Sequence, residues 1–272
     1  MVFPVWGEYA GPRGYSVNAK TAELAEQANG PTVSSLVATN TGDRPLLMLE
    51  GQVLEGGWQN RLLGRSVLVP AGTSLDLEVV CVEKGRWGGG RDHAWNERRA
   101  SLRVRSGLNT GEDRQGEVWR RVTEYDARYG PNATSSFAVH ADRAVQDVRR
   151  LVDGLGPLPG QVGVVIGIAG QPVLAEVFDS PITLAQQFRS IVKAAALDAL
   201  GQEELVTPSR RARRFVDRAG RVERRPIAPA GLGTTVAGAD GYATVAALAW
   251  RRRDVHFVAT NPRHALNLVR SH

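Results

Sequence analysis

From Leu46 to Trp87 the chain reads LLMLEGQVLEGGWQNRLLGRSVLVPAGTSLDLEVVCVEKGRW, and the spacing of its apolar residues restricts what it can form. Leu75, Leu77, Val79 and Cys81 alternate with Ser74, Asp76, Glu78 and Val80, the period-two pattern of a strand with one buried face. Two residues further along that face stands Glu83. A carboxylate in an apolar position is costly unless it is paired or reached by water. Either the strand end opens onto a polar pocket or an arginine, with Arg86 the nearest basic candidate after Lys84, or Glu83 simply marks the strand's end in solvent.

PLLMLEG and RSVLVPAG predict two more strands joined by a polar, glycine-rich connection. Gly51, Gly56 and Gly57 allow positive φ or a close backbone approach to a ligand, and a Gly-Gly pair serves an ordinary bulge or hairpin as well. Gln59, Asn60 and Arg61 put two amides and a guanidinium in consecutive positions, a set suited to phosphate, ribose or carboxylate. Trp58 and Trp87 supply core bulk or faces for stacking. Cys81 lies on the core face of its strand and reads as a small hydrophobe, not a nucleophile.

The run EGQVLEGGWQNRLLGRSVLVPAG followed by VVCVEKGRW resembles the signature of the ARG-and-rhodanese-phosphatase-superfamily-associated protein domain family, where ARG stands for ADP-ribosylglycohydrolase. QGEVWRRV from Gln115, PGQVGVVIGIAGQPVLAEVF from Pro159 and the AALDAL ending at Leu200 resemble further segments of the family, so most of the chain is covered. The resemblance implies a setting in NAD and ADP-ribose metabolism and carries no established reaction with it. The signature positions here are Glu50, Gly51, Gly57, Gln59, Asn60, Arg61, Cys81, Glu83, Arg86 and Trp87. Their chemistry makes Glu50 and Glu83 the candidate general acid or base and Arg61 and Arg86 the candidate phosphate contacts. Gln59 and Asn60 would orient a ribose, Trp87 would stack on a base, and Gly51 and Gly57 would shape the ligand-binding backbone.

Elsewhere the expectation is an α+β chain. Its N-terminal half is β-rich, an antiparallel sandwich or curled sheet, and is followed by an α+β half with helices packed on a sheet. The expected division is 1–113 and 114–272, or one continuous domain. VFPVW and SSLVATN read as strands, and AKTAELAEQ from Ala19 has helical composition. Periodicity is lost from Lys84 to Gly116, where six glycines precede Gln115 amid charges of both signs. This predicts a long loop able to close over a pocket at Glu83. His93 in that loop reads first as solvent-exposed and second as a general acid or base.

Two helices follow, with Val118, Val122, Tyr125 and Tyr129 on one face of the first. Ala144, Val145, Val148, Leu151, Val152 and Leu155 form the apolar stripe of the second. Ser135, Ser136 and His140 lie between these faces without a G-x-S-x-G elbow. A hairpin turning at Gly170-Gln171-Pro172 comes next, then a helix opened by Ser180 and Pro181, and a last hairpin of YATVAALAW and VHFVAT.

The formal charge of +6 is carried almost wholly by arginine, since only Lys20, Lys84 and Lys193 are lysines. Segment 210–225 holds eight arginines against Asp217 and Glu223, a local excess as large as that of the whole chain. Such a cluster follows phosphates, docks an acidic partner as an interaction or scaffold surface, or forms a solvated loop. Nucleic acid is not favoured, because the segment has one aromatic, Phe215, and no binding module.

The single cysteine excludes a disulfide framework or cysteine-rich zinc site. No apolar run approaches the roughly 18 residues of a membrane helix, and the N-terminus lacks a signal-peptide pattern, so a cytoplasmic location is expected. No motif of a zincin, zinc ribbon, P-loop NTPase or dinucleotide-binding Rossmann unit is present. No metal is indicated, and no particular cofactor or oligomeric state can be read.

Overall fold

The strand ending at Cys81 is flanked on both edges by other strands, and following the pairing onward leads back to the start, so the expected curled sheet closes. The computed structural model describes residues 1–8, 13–109 and 113–268. The chain divides into two compact units, Met1–Arg13 with Val152–His272, and Gly14–Leu151. Strand β1 (Val2–Trp6) belongs to the first of these.

The unit Gly14–Leu151 contains β2 (Ala22–Ala25), β3 (Ser35–Asn40), β4 (Leu46–Met48), β5 (Gln52–Gly56), β6 (Arg61–Leu63), β7 (Val67–Val69), β8 (Ser74–Cys81) and β9 (Asp92–Arg99). A closed antiparallel barrel runs β2-β3-β8-β6-β5-β9, while β4 and β7 pair separately. Leu24, Leu36, Leu54, Leu62, Leu77 and Cys81 are among the buried side chains of these strands.

Three expectations are corrected in this unit. The connection between β4 and β7 is itself a hairpin, with Val53 opposite Leu62 and Leu54 opposite Arg61. The segment from Ala19 forms a short 3-10 turn, Ala19–Thr21, capped by the Asn18 side chain, and then strand β2 instead of a helix. Pairing of β2 with β3 and β9 outweighs the weak local helical preference. The expected loop after Lys84 contains β9, whose buried His93 and Trp95 alternate with exposed neighbours and which closes the barrel between β2 and β5. Residues 110–112 of that stretch lie outside the described residues.

Helices α1 (Leu102–Ser106), α2 (Arg114–Thr123), α3 (Asp126–Tyr129), α4 (Phe137–Arg143) and α5 (Val145–Val152), with a 3-10 turn at Gly107–Asn109, follow the strands. Val118, Val122 and Tyr125 are buried as expected. The second apolar stripe is narrower than expected: Ala144, Val148 and Val152 are buried, whereas Leu151 and Leu155 are exposed.

The other unit joins β1 to β10 (Gln161–Ile168), β11 (Gln171–Phe178), α6 (Pro181–Ala199), α7 (Ser209–Ala219), β12 (Arg225–Ala230), β13 (Gly233–Ala239), β14 (Thr244–Trp250) and β15 (Arg253–Thr260). Its antiparallel sheet has the order β1-β10-β11-β15-β14-β13-β12. Ser180 and Pro181 open α6 as the sequence predicts. Ala212, Phe215 and Ala219 of α7 pack with Val165, Ala175, Val245 and Ala259 on one sheet face. The arginine segment is therefore an amphipathic helix leading into β12, not a loop. No helix among the described residues is long and apolar enough to cross a membrane.

Candidate functional site

Glu83 lies just past the end of β8, on the face the alternation predicts, and is buried there. Its Oε2 accepts from Arg86 Nη2 at 2.7 Å and from the Asn60 backbone N–H at 3.0 Å, and its Oε1 accepts from Thr134 Oγ1 at 2.9 Å. Burial alone would raise this carboxyl, but the bonds from Arg86, Asn60 and Thr134 outweigh it and hold the carboxyl below its ordinary value. Glu83 is thus a fixed anion. The paired alternative of the sequence reading holds, and the arginine is Arg86.

The neighbouring signature residues bond to one another. Gln59 Nε2 donates to the Glu83 carbonyl at 3.0 Å, while its Oε1 accepts from Arg61 Nη1 at 2.9 Å. Asn60 Oδ1 accepts from Gly56 N–H at 2.9 Å, and its Nδ2 donates to Ser136 Oγ at 3.3 Å. Arg86 also donates to the carbonyls of Gly57 at 2.7 Å and of Gly56 and Gly88, both at 3.1 Å. One guanidinium therefore stitches together the two glycine segments, Gly56–Gly57 and Gly88–Gly90. Gly89 needs its φ of +147° and its missing Cβ to lie against the Gly57 carbonyl.

Below this network the barrel interior holds ionisable groups. Arg61 is 0% exposed, and its Nη2 lies 3.9 Å from Glu26 Oε1 and donates to the Thr32 carbonyl at 3.2 Å. Glu26 Oε1 also meets His93 Nε2 and the Trp58 backbone N–H, each at 3.1 Å. Glu26 Oε2 is buried and, among the described residues, has no hydrogen-bond partner. This carboxylate is therefore lopsided, one oxygen crowded and the other bare. Burial pushes the His93 imidazole below its usual pKa despite the Glu26 carboxylate. The expectation of an exposed His93 is overturned, because the residue points into the barrel from β9. Burial raises the Cys81 thiol, in keeping with its place in the core.

Above the interior, the Trp87 ring is 51% exposed and meets Trp58 edge-on, with centroids 5.4 Å apart. The Arg61 Cζ lies 5.9 Å from its centroid. The fold thus gathers Gly57, Gln59, Asn60, Arg61, Glu83, Arg86 and Trp87 at one end of the barrel. Glu50 and Gly51 belong to another cluster: Glu50 Oε1 takes Arg105 Nε at 3.3 Å, and its carbonyl takes Arg99 Nη2 at 2.6 Å. A Cβ on Gly51 would stand 2.6 Å from Arg105 Nε, so this glycine makes room for a guanidinium.

Glu26 and Thr134 were not among the residues singled out from sequence, and Ser136 entered there only as a serine near His140 without a nucleophile elbow. For Glu26 a signal existed, since Leu24 and Glu26 continue one face of β2 just as Cys81 and Glu83 continue one face of β8. Thr134 and Ser136 reach the site through chain pairing, with Gly85 N–H bonded to the Thr134 carbonyl at 2.8 Å and Phe137 N–H to the Val82 carbonyl at 2.9 Å. Among the described residues no group of three or more His, Cys, Asp or Glu is disposed to hold a metal.

A family model described as "ARG and Rhodanese-Phosphatase-superfamily-associated Protein domain" matches residues 1–260. No curated protein and no solved structure matches the chain.

Proposed function

The chain belongs to the ARG and Rhodanese-Phosphatase-superfamily-associated Protein domain family, and on that footing we propose that the barrel end at Glu83 binds a nucleotide or phosphosugar related to ADP-ribose. The observation that carries the reading is the bare Glu26 Oε2, a buried acceptor beside Arg61 and His93. An orphaned carboxylate oxygen in a protein interior costs free energy unless a donor arrives, and a ribose hydroxyl or an attacking water is such a donor. Trp87, half-exposed above Arg61, offers a face for the base.

In this reading the Gly88–Gly90 segment is a flap over the interior, tied down by Arg86 and by the Gly88 N–H bond to the Trp58 carbonyl at 3.2 Å. Glu83 anchors the arginine that ties the flap. The acid–base work at a ribose falls to Glu26, with His93 holding its other oxygen, while Glu50 stands apart with Arg105. Arg61 supplies positive charge from below and keeps its own hydrogen bonds to Gln59 and Thr32. The same reading sets the protein in the cytoplasm, where a single unpaired thiol stays reduced.

The experiment is a thermal-shift panel of ADP-ribose, NAD, NMN and common nucleotides on the wild type, Trp87→Ala and Glu26→Gln. ADP-ribose or a close analogue is expected to stabilise the wild type and to lose that effect in both variants. A panel in which no ligand moves the wild type would sink the proposal.

A further inference from the structure

The unit formed by Met1–Arg13 and Val152–His272 carries a surface that the proposed nucleotide site does not use. Strand β1 and helix α7 bound an open groove of about 440 Å³, with Phe3, Val5, Val165, Ala212 and Val216 along it, Trp6 as a wall and Arg213 at the rim. Trp6 is 56% exposed yet held in place, since its Nε1 donates to the Pro159 carbonyl at 3.2 Å. An open apolar trough beside a half-exposed tryptophan has the character of a docking surface.

The exposed side of α7 beside the groove is rich in arginine, while the lining itself holds one cation, Arg213, and one carboxylate, Asp217. Arg210, Arg213, Arg214 and Arg221 are exposed, and among the described residues none of their guanidinium groups has a hydrogen-bond or ion-pair partner. The other four arginines of the segment are engaged. Arg211 donates to the Gly170 carbonyl, Arg218 lies over Tyr242, Arg224 pairs with Asp254 and Arg225 pairs with Glu223. At helical spacing Arg210, Arg213 and Arg214 fall within about one turn along the solvent side of the groove, with Asp217 the one carboxylate among them.

Strand addition is a poor use of this edge. Met1 exchanges both backbone bonds with Gly167, and the β1–β10 register then gives Phe3 and Val5 to the ladder, so the backbone groups of Val2 and Pro4 face outward, up to the register shift between Val5 and Trp6. Pro4 has no N–H to offer a new strand. An occupant must therefore bind through its side chains.

We propose that the groove between β1 and α7 binds an acidic, amphipathic peptide segment of a partner protein. Its apolar side chains would seat on Phe3, Val5 and Val216, and its carboxylates would face Arg210, Arg213 and Arg214. A peptide suits the surface better than single-stranded nucleic acid, because the lining has no aromatic residue beyond Trp6 and Phe3 and so offers no succession of faces for stacking bases.

Fluorescence anisotropy on the full chain tests this, with a labelled peptide of glutamates and leucines at helical spacing, the same peptide with serine for leucine, and single-stranded DNA of equal charge. The leucine peptide is expected to bind, to weaken as salt is raised, and to lose about tenfold or more in affinity to an Arg210→Glu, Arg213→Glu, Arg214→Glu variant. Trp6→Ala is expected to weaken it as well. All four side chains are exposed, so the unfolding transition is expected to stay in place and serves as the control for folding. Absence of binding, equal binding of the serine peptide, or tighter binding of DNA overturns the proposal, the last in favour of nucleic acid.

Discussion

The His93 imidazole occupies the space that any side chain at residue 57 would need: a Cβ built on Gly57 overlaps the ring, and the Gly57 φ is +52°. Loop and interior are thereby locked together, because the glycine segment can settle only where it has no side chain. Gly57→Ala is expected to destabilise the protein by about 2–4 kcal/mol through strain and displacement of the ring. Urea unfolding of Gly57→Ala, His93→Ala and the double variant checks it. Strictly additive losses would show that the two residues do not interact.

Glu26 is the carboxylate facing a wholly buried arginine. Glu26→Gln keeps the shape and removes the charge, leaving Arg61 without its counter-ion. A loss of about 3 kcal/mol follows for a buried pair broken on one side. The measurement is the urea midpoint at constant slope, and a variant as stable as the wild type would mean that the pair is not coupled in the folded state.

The pH profile has a determined sign. His93 and His140 are held below the ordinary imidazole value by burial, which outweighs the opposing pull of the Glu26 and Asp126 carboxylates. Glu83 is held below the ordinary carboxyl value, because its hydrogen bonds outweigh burial. In each case the unfolded chain takes up a proton before the folded one, so this stability is present above the unfolded pKa and is lost as pH falls through the folded pKa. Melting temperature should decline first below about pH 6.5 and again below about pH 4.5. His93→Gln with His140→Gln should flatten the first decline and Glu83→Gln the second, as read by calorimetry across pH.

Trp87 separates binding from folding. Its ring is half in solvent, so Trp87→Ala should leave the melting temperature within a degree or so, yet weaken an ADP-ribose-like ligand by roughly tenfold through the lost stacking face. Titration calorimetry on both proteins gives the comparison. Unchanged affinity would remove Trp87 from the site.

Cys81 should be inert while the protein is folded. Buried, and with its thiol raised by burial, it is expected to resist a maleimide under native conditions and to react on unfolding. Mass spectrometry before and after denaturant shows which.

Legibility of the fold followed the range of the interactions. The alternation from Leu75 to Cys81 is local, and it led to β8, to a buried Glu83 and to its partner Arg86. The Ser180-Pro181 helix start and the hairpin of β10 with β11 are local too. Glu26 and His93 were hidden because they meet only when β2 pairs with β9, where Leu24 sits opposite His93. In the sequence, one lies in a segment of helical composition and the other among glycines. Barrel closure is a property of distant partners, and short-range composition pointed elsewhere in both places. Glu50 shows the converse, since it stands next to Gly51 in the signature but turns toward Arg105, away from the group that its neighbours in sequence form.

The pairing of β1 with β10 joins Met1 to Gly167, 166 positions later. A ribosome working at 5–20 residues per second delivers the second partner roughly ten to thirty seconds after the first. Through that interval the apolar strand Val2–Trp6 has emerged with no sheet to join, while every strand of the intervening barrel is already available to pair. Synthesis therefore favours the inserted unit folding first and the enclosing one last. During that wait the unpaired strand Val2–Trp6 is a natural client for a chaperone.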